Sequence, residues 1–263
     1  MQQIPLQNSA DVNSGTAKTI VLIKAAPVTG QKHGETVCCA GIDIYGKWHR
    51  MYPVSFRLLE DAKRFGRWDI VTYNWRRPTD DDRIESRHVN SQSLEISGCM
   101  KKAERANFLD NHIVTSLNAE AEAGRSLALL RPSIKEFVIS PKSQSEVAAE
   151  QRKIDNYHAQ SDMFAPQPGV PRVACPYDFK YKYSTDDGDR TGTCQDWETE
   201  ATFYKWRNEY GEQGALTHMQ EAYGHTLPQR GLYFAMGTHS RHRDTWLVNG
   251  LVQLRATKQP SLF

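Results

Sequence analysis

The stretch Tyr177-Asp-Phe-Lys-Tyr-Lys-Tyr183 alternates aromatic and charged side chains without a break, and Asp186-Asp187-Gly188 follows it. Successive residues of a strand point to opposite faces, so this period assigns the aromatic residues to one face and the charged ones to the other. The acidic turn ending in glycine makes the segment a hairpin. Whatever else the chain does, it contains at least one antiparallel pair with a one-sided aromatic surface.

Strand patterns recur elsewhere. Thr19 to Lys24 is a β-branched run, Glu35 to Ile44 reads as a second strand, and Tyr45-Gly46 turns into Lys47-Trp-His-Arg-Met-Tyr52, where basic and bulky side chains alternate. With Trp68 to Trp75 this is a meander, which favours an antiparallel sheet or a small barrel. Phe56 to Lys63 reads as a short helix. From Ser97 to Ala149 the pattern turns helical, with Leu127, Leu130 and Pro132 as an apolar stop, and Pro132 to Ile139 returns to a strand. Asp196 is placed to cap a helix through Tyr210, with Glu198 and Glu200 in its first turn and Phe203, Trp206 and Tyr210 on one face. A second helix lies around Ala215 to Tyr223. Two strands, Gly231 to Thr238 and Thr245 to Leu254, close the chain around a polar loop. The expected fold is α+β. It comprises a disordered polar arm (1–17), a β-rich N-terminal lobe, barrel-like or an antiparallel sheet, with a helical extension (18–155), a Gln-, Ser- and Pro-containing linker (156–172), a smaller C-terminal lobe of β-hairpin plus helix (173–257), and a tail (258–263).

Composition narrows the function classes. The formal charge is +2 and the pI about 8.2, so an anion-binding surface must come from local clustering. No run approaches the roughly 18 apolar residues that cross a bilayer, and Met1 to Thr16 lacks a signal-peptide layout, so the expected location is cytoplasmic with no membrane partner. The five cysteines include no C-x-x-C, which argues against a zinc site and for small buried hydrophobes. Strand-linked G-x-G-x-x-G, phosphate-binding G-x-x-x-x-G-K-[ST] and G-x-S-x-G motifs are absent, which excludes nucleotide-driven motors and standard hydrolases as expectations.

Three clusters carry candidate chemistry. Lys47, Trp48, His49 and Arg50, continued by Arg67 and by Arg76-Arg77 after Trp75, interleave cations that neutralise phosphates with aromatic faces that stack on bases. Asp80, Asp82 and Glu85 could hold a hard divalent cation such as Mg²⁺, which needs only one or two carboxylates besides waters and phosphates; otherwise they are solvated turn residues or partners of Arg83 and Arg87. His239, Arg241, His242 and Arg243 stand between two expected strands, where the arginines can read a phosphate backbone and either histidine can act as a general acid or base.

Beyond these clusters, Gln259-Pro-Ser-Leu-Phe263 resembles the short motif by which bacterial replication and mismatch-repair factors dock on the sliding clamp. The resemblance implies that Gln259 bonds at the pocket rim while Leu262 and Phe263 fill an apolar pocket. The competing reading folds this tail back on its own domain. Residues Trp48 to Phe56, Asp196-Trp197-Glu198 and Gly237-Thr238 make the chain resemble an uncharacterised family of prokaryotic proteins, to which no activity attaches. A looser likeness, from the β-rich layout with basic loops, is to PUA and ASCH barrels. Together these point to an accessory protein of DNA metabolism, in replication, repair or phage defence, with DNA or RNA and a sliding clamp as partners. The alternative is a metal-dependent nuclease or base-modifying enzyme.

Overall fold

The computed structural model describes residues 13–30, 34–56, 59, 61–161 and 173–254. The expected tail with Gln259, Leu262 and Phe263, residues 1–12 of the arm and residues 162–172 of the linker lie outside them. The fold is α+β, with a closed five-stranded barrel followed by a second half of strands and helices.

The barrel is built from β1 (Ser14–Lys24), β3 (Gly34–Asp43), β4 (Trp48–Val54), β5 (Asp69–Arg76) and β6 (Ser86–Val89), while β2 (Val28–Gly30) pairs only with β3. Strand β1 closes the ring because it is long enough to serve two neighbours: Ser14–Ile20 pairs with β5 and Thr19–Lys24 pairs with β3, with a register shift between Val21 and Ile23 inside the β3-paired part. The ring continues antiparallel from β3 to β4, parallel from β4 to β6, and antiparallel from β6 to β5. Strand order β1-β3-β4-β6-β5-β1 with a parallel third and fifth strand is that of the oligonucleotide- and oligosaccharide-binding (OB) barrel. Ala17, Val21, Cys39, Met51, Val71 and Tyr73 fill its interior, with Phe56 against Phe65 at one end. A further strand, β7 (Glu95–Cys99), extends β5.

The outer face of the barrel is apolar too, which is why β1 is buried on both sides from Thr19 to Ile23. Ile20, Leu22, Ala40 and Ile42 pack against a four-stranded sheet of β8 (Ile113–Val114), β9 (Leu127–Leu130), β13 (Leu232–Thr238) and β14 (Trp246–Gln253). The two layers approach closely at Gly250, where a Cβ would stand 2.8 Å from the Leu22 carbonyl oxygen. The other face of this sheet meets β10 (Ser133–Pro141), β11 (Tyr177–Thr185) and β12 (Gly188–Thr193). Phe137, Phe179, Tyr181, Tyr183 and Phe234 stack there beneath Phe203 of the helix Trp197–Glu221. The aromatic side of the Tyr177–Tyr183 alternation is therefore the core side.

One buried ion pair fastens the barrel to the second half. Arg67 donates from Nη2 to Asp196 (2.7 Å), from Nη1 to Glu198 (3.3 Å) and from Nε to the Leu22 carbonyl (3.1 Å). Asp196 also accepts from the backbone N–H of Glu198 as the helix cap and from that of Leu251, so one carboxylate joins the barrel, the helix start and β14. Beside it Lys24 Nζ lies 4.4 Å from the centre of the Phe56 ring and 5.4 Å from that of Trp197, and burial pushes its pKa down.

Several sequence expectations need correction. Residues Ser14 to Ala17 belong to β1, not to a loose arm, because β5 supplies their partners. The helical reading of Ser97 to Ala149 breaks up: α1 (Lys102–Asp110), α2 (Leu117–Glu122) and the start of α3 (Gln144–Ser161) alternate with β8, β9 and β10. Leu127 to Leu130 is a central strand buried on both faces, whose unbroken apolar run carries no period of two. Phe56 to Lys63 shows short 3-10 turns among the described residues, one starting at Phe56, whose carbonyl accepts from the Leu59 N–H, and one at Asp61–Lys63. The helix capped by Asp196 continues to Glu221 but breaks at Gly211, whose φ of 73° suits glycine. The two lobes do not divide at 156–172, since α3 covers Gln144–Ser161 and Phe137 packs with Tyr181 and Phe234 beyond it.

Candidate functional site

In an OB barrel the face of the second and third strands and the adjoining loops carry the ligand. Here those strands are β3 and β4, and their outer residues Ala40, Ile42 and Arg50 lie buried under β9, β13 and β14, with Trp48 half-buried among them. That face is covered, and the accessible part of the barrel beside it is the rim, where the β5–β6 loop (77–85) comes against the β13–β14 loop (239–245).

Specific contacts hold the two loops together. Arg83 donates from Nη1 to the Thr238 carbonyl (3.1 Å) and holds Asp81 through both Nε and Nη2, at 2.8 and 2.6 Å. Ser86 donates to the same Asp81 carboxylate at 2.7 Å. Partial burial works to raise the Asp81 pKa, but the bonds from Arg83 and Ser86 outweigh it and hold the carboxyl well below its usual range. Across the loops Arg243 reaches Asp82 at 2.8 Å and Asp81 at 3.4 Å. His239 Nδ1 accepts from the backbone N–H of both Arg241 and His242, and the two imidazoles stack with centres 5.0 Å apart. An Nδ1 that accepts twice carries no proton. Partial burial, then the charges of His242, Arg241 and Arg83, lowers the His239 pKa accordingly.

The rim then continues around β5 and β6. Arg87 lies over the Trp75 ring at 4.3 Å and donates to the carbonyls of Ile84 and Ser86. Arg76 and Arg77 are exposed at the end of β5, with Arg76 opposite His88 in the strand register. Lys47 is exposed in the turn between β3 and β4, next to Ile44 and Tyr45, which are 66% and 80% exposed. This rim presents guanidinium groups beside aromatic faces, a surface suited to phosphates and to flat rings.

Beneath the rim run two buried polar chains. Inside the barrel, Asp43 meets His49 Nε2 at 3.3 Å, His49 Nδ1 meets the Tyr73 hydroxyl at 2.9 Å, and Tyr73 meets Thr19 at 3.0 Å. One neutral tautomer satisfies all three: Nε2–H donates to Asp43 while Nδ1 accepts from Tyr73, whose oxygen accepts from Thr19. Burial first, and then Arg87, holds the His49 pKa down to about 4 against the pull of Asp43. Between barrel and second sheet, Arg50 Nη2 donates to the carbonyl and hydroxyl of Ser126 at 3.0 and 3.1 Å, and Glu85 accepts from the Ser126 N–H and hydroxyl, both at 2.8 Å. Asn249 sits at the register shift of β14, a bulge that turns its side chain toward Gly237. Arg50 Nε, Thr238 Oγ1 and Asn249 Oδ1 are buried along this seam without a hydrogen-bond partner.

The structure sorts the expected site residues. Lys47, Arg76, Arg77, Arg241 and Arg243 are exposed or half-exposed on the rim. His49 and Arg50 are buried in polar networks and Arg67 in its ion pair, so these three do not face a nucleic acid; Trp48 packs at the interface rather than offering an open ring. The carboxylate trio separates as well: Asp80 and Asp82 are exposed, whereas Glu85 turns inward to Ser126. Among the described residues no three His, Cys, Asp or Glu side chains gather to hold a metal ion, and Glu85 spends both carboxylate oxygens on Ser126. Of the histidines, His239 spends Nδ1 on its own loop, and His242 stacks on it in the open. Sequence reasoning missed Arg87 as a rim residue, along with Tyr73, Asp43, Ser126, Thr238 and Asn249. The only signal for Arg87 was its place as a cation just beyond the carboxylates of residues 80–85.

Nothing among curated proteins matches the chain. Of solved structures, the tetrameric p202 HIN2 is similar with a TM-score of 0.31 and 10% identity over 92% of this chain and 94% of that one. A replication protein A heterotrimer bound to single-stranded DNA scores 0.25 with 11% identity over 95% and 96%. Both scores are too low to bear on fold or function, and the barrel assignment rests on strand order. The family model described as "Domain of unknown function (DUF8758)" matches residues 15–111, the barrel and α1. A second, "Domain of unknown function (DUF8757)", matches residues 111–263, more than half of the chain, and the protein belongs to that family.

Proposed function

We propose that this protein binds nucleic acid along the rim of its barrel, through Arg76, Arg77, Arg87 and Lys47 on one side and Arg241 and Arg243 on the other. The observation that carries this reading is the joining of loops 77–85 and 239–245 by Arg83 and Arg243, which brings Arg76 and Arg77, at the end of β5, onto one rim with Arg241 and Arg243, distant in sequence. The Arg87–Trp75 pair adds an aromatic face to the cations, and the overall charge of +2 means that attraction for phosphate is local to this rim. Fluorescence anisotropy at low salt with single-stranded, double-stranded and forked DNA and with RNA tests it. Binding is expected to at least one of these, weakened by Arg76→Ala with Arg77→Ala and left unchanged by Arg207→Ala on the distant helix. No binding to any of them rejects the reading.

The finer reading is an accessory role in replication, repair or phage defence, with recruitment to a sliding clamp through Gln259, Leu262 and Phe263. It is supported by the sequence of that segment alone. Calorimetry with a purified clamp, comparing wild type with Leu262→Ala plus Phe263→Ala, tests it. Micromolar binding lost in the variant supports recruitment, and equal or absent binding rejects it.

A further inference from the structure

The arginines of the rim are not all equally available, and the acidic loop decides which. Asp81 is fixed from three sides by Arg83 and Ser86, so it is part of the scaffold. Asp82 differs. Its side chain is 92% exposed, yet it points across to Arg243 Nη2 at 2.8 Å. Arg243 is itself 42% exposed and belongs to the loop that also presents Arg241 and His242. A carboxylate oxygen on a guanidinium imitates a phosphate oxygen, since both accept in the same fork geometry.

We propose that Asp82 is a built-in competitor for the phosphate backbone: it occupies Arg243 in the unbound protein and must leave when nucleic acid engages this loop. This rests on the binding reading given above and adds the regulation of that surface. The exchange is inexpensive because an exposed pair of this kind contributes little, and Asp81, 3.4 Å from Arg243, keeps the arginine in place after Asp82 swings away. Asp82 therefore tunes affinity without closing the site, and an oligonucleotide that displaces it gains from Arg76, Arg77 and Arg87 at once.

The test is an anisotropy titration of wild type, Asp82→Asn, Arg243→Ala and the double variant against the best-bound oligonucleotide, with Glu122→Gln on the remote helix α2 as a control of equal charge change. Asp82→Asn is expected to bind about two- to five-fold more tightly, the scale of an exposed ion pair. Glu122→Gln is expected to match wild type, and the gain from Asp82→Asn is expected to vanish when Arg243 is alanine. Equal affinity of wild type and Asp82→Asn overturns the inference and leaves the binding reading standing. So does a gain that persists undiminished without Arg243, because removal of charge alone then explains it. No binding by either protein overturns both.

Discussion

Removing Arg67 should test how the two halves are held together. Its guanidinium makes contacts to Asp196, Glu198 and the Leu22 carbonyl, and the Asp196 side chain is only 1% exposed. In Arg67→Ala the carboxylate keeps its two backbone donors, Glu198 and Leu251, but loses its counter-charge in a place water does not reach. Breaking a buried pair from one side costs about 3 to 5 kcal/mol. A typical domain has roughly 5 to 15 kcal/mol in all, so the loss is a large share of the total. By contrast Lys135 and Asp189 form an exposed pair, with side chains 50% and 73% accessible, and Lys135→Ala should change stability by less than about 1 kcal/mol. Urea unfolding at neutral pH, followed by tryptophan fluorescence, measures both. The pairing of Arg67→Ala with Asp196→Asn should be strongly non-additive, because the second change relieves the charge that the first strands. A loss below about 1 kcal/mol for Arg67→Ala, or one no larger than that of Lys135→Ala, refutes the reasoning.

Other consequences follow from single positions. Gly41→Ala would place a Cβ 2.0 Å from the Ile20 carbonyl oxygen, backbone that cannot step aside, so it should cost about 1 to 3 kcal/mol or prevent folding, read as a fall in the urea midpoint. Asp187 accepts from the Ser116 hydroxyl and from the N–H groups of Leu117 and Asn118, so Asp187→Ala should lose roughly 1 to 2 kcal/mol through the start of α2, measured the same way. His49 is held neutral in the folded barrel, with its pKa lowered from 6.5 to about 4, so the unfolded chain binds the extra proton between these values. Stability should therefore fall as pH drops from about 6.5 toward 4, and His49→Gln should flatten that part of the profile in denaturant midpoints taken across the range.

Local order was legible where one residue pattern had one physical solution. The Tyr177–Tyr183 alternation could only bury its rings on one side, and Asp196 followed by Glu198 and Glu200 could only begin a helix. What the pattern could not carry was which face meets which neighbour. The alternation Lys47, Trp48, His49, Arg50 reads as a basic surface, yet β4 has a barrel interior on one side and a second sheet on the other, so His49 and Arg50 are both buried. Leu127 to Leu130 looks like the end of a helix because a strand covered on both faces shows no period. Ring closure by Ser14–Thr16 on β5 joins residues about sixty apart through backbone bonds, which polar side chains do not announce. At the site, the loops 77–85 and 239–245 were each visible as charged segments, and their meeting depends on Arg83 finding a carbonyl at Thr238. Arg67 was legible as a cation, but its role came from Asp196, far along the chain.

If a rim built from both halves holds a phosphate backbone, binding must depend steeply on salt. Each phosphate neutralised releases counterions, so the logarithm of affinity should fall linearly with the logarithm of salt, by about 0.7 to 0.9 per contact. The wild type should show a slope corresponding to several contacts. Arg76→Ala with Arg77→Ala should reduce it by about 1 to 2, and Arg241→Ala should reduce it again, because that arginine lies on the opposite side of the same surface. A slope near zero, or one that neither set of substitutions changes, means that this rim does not hold phosphates.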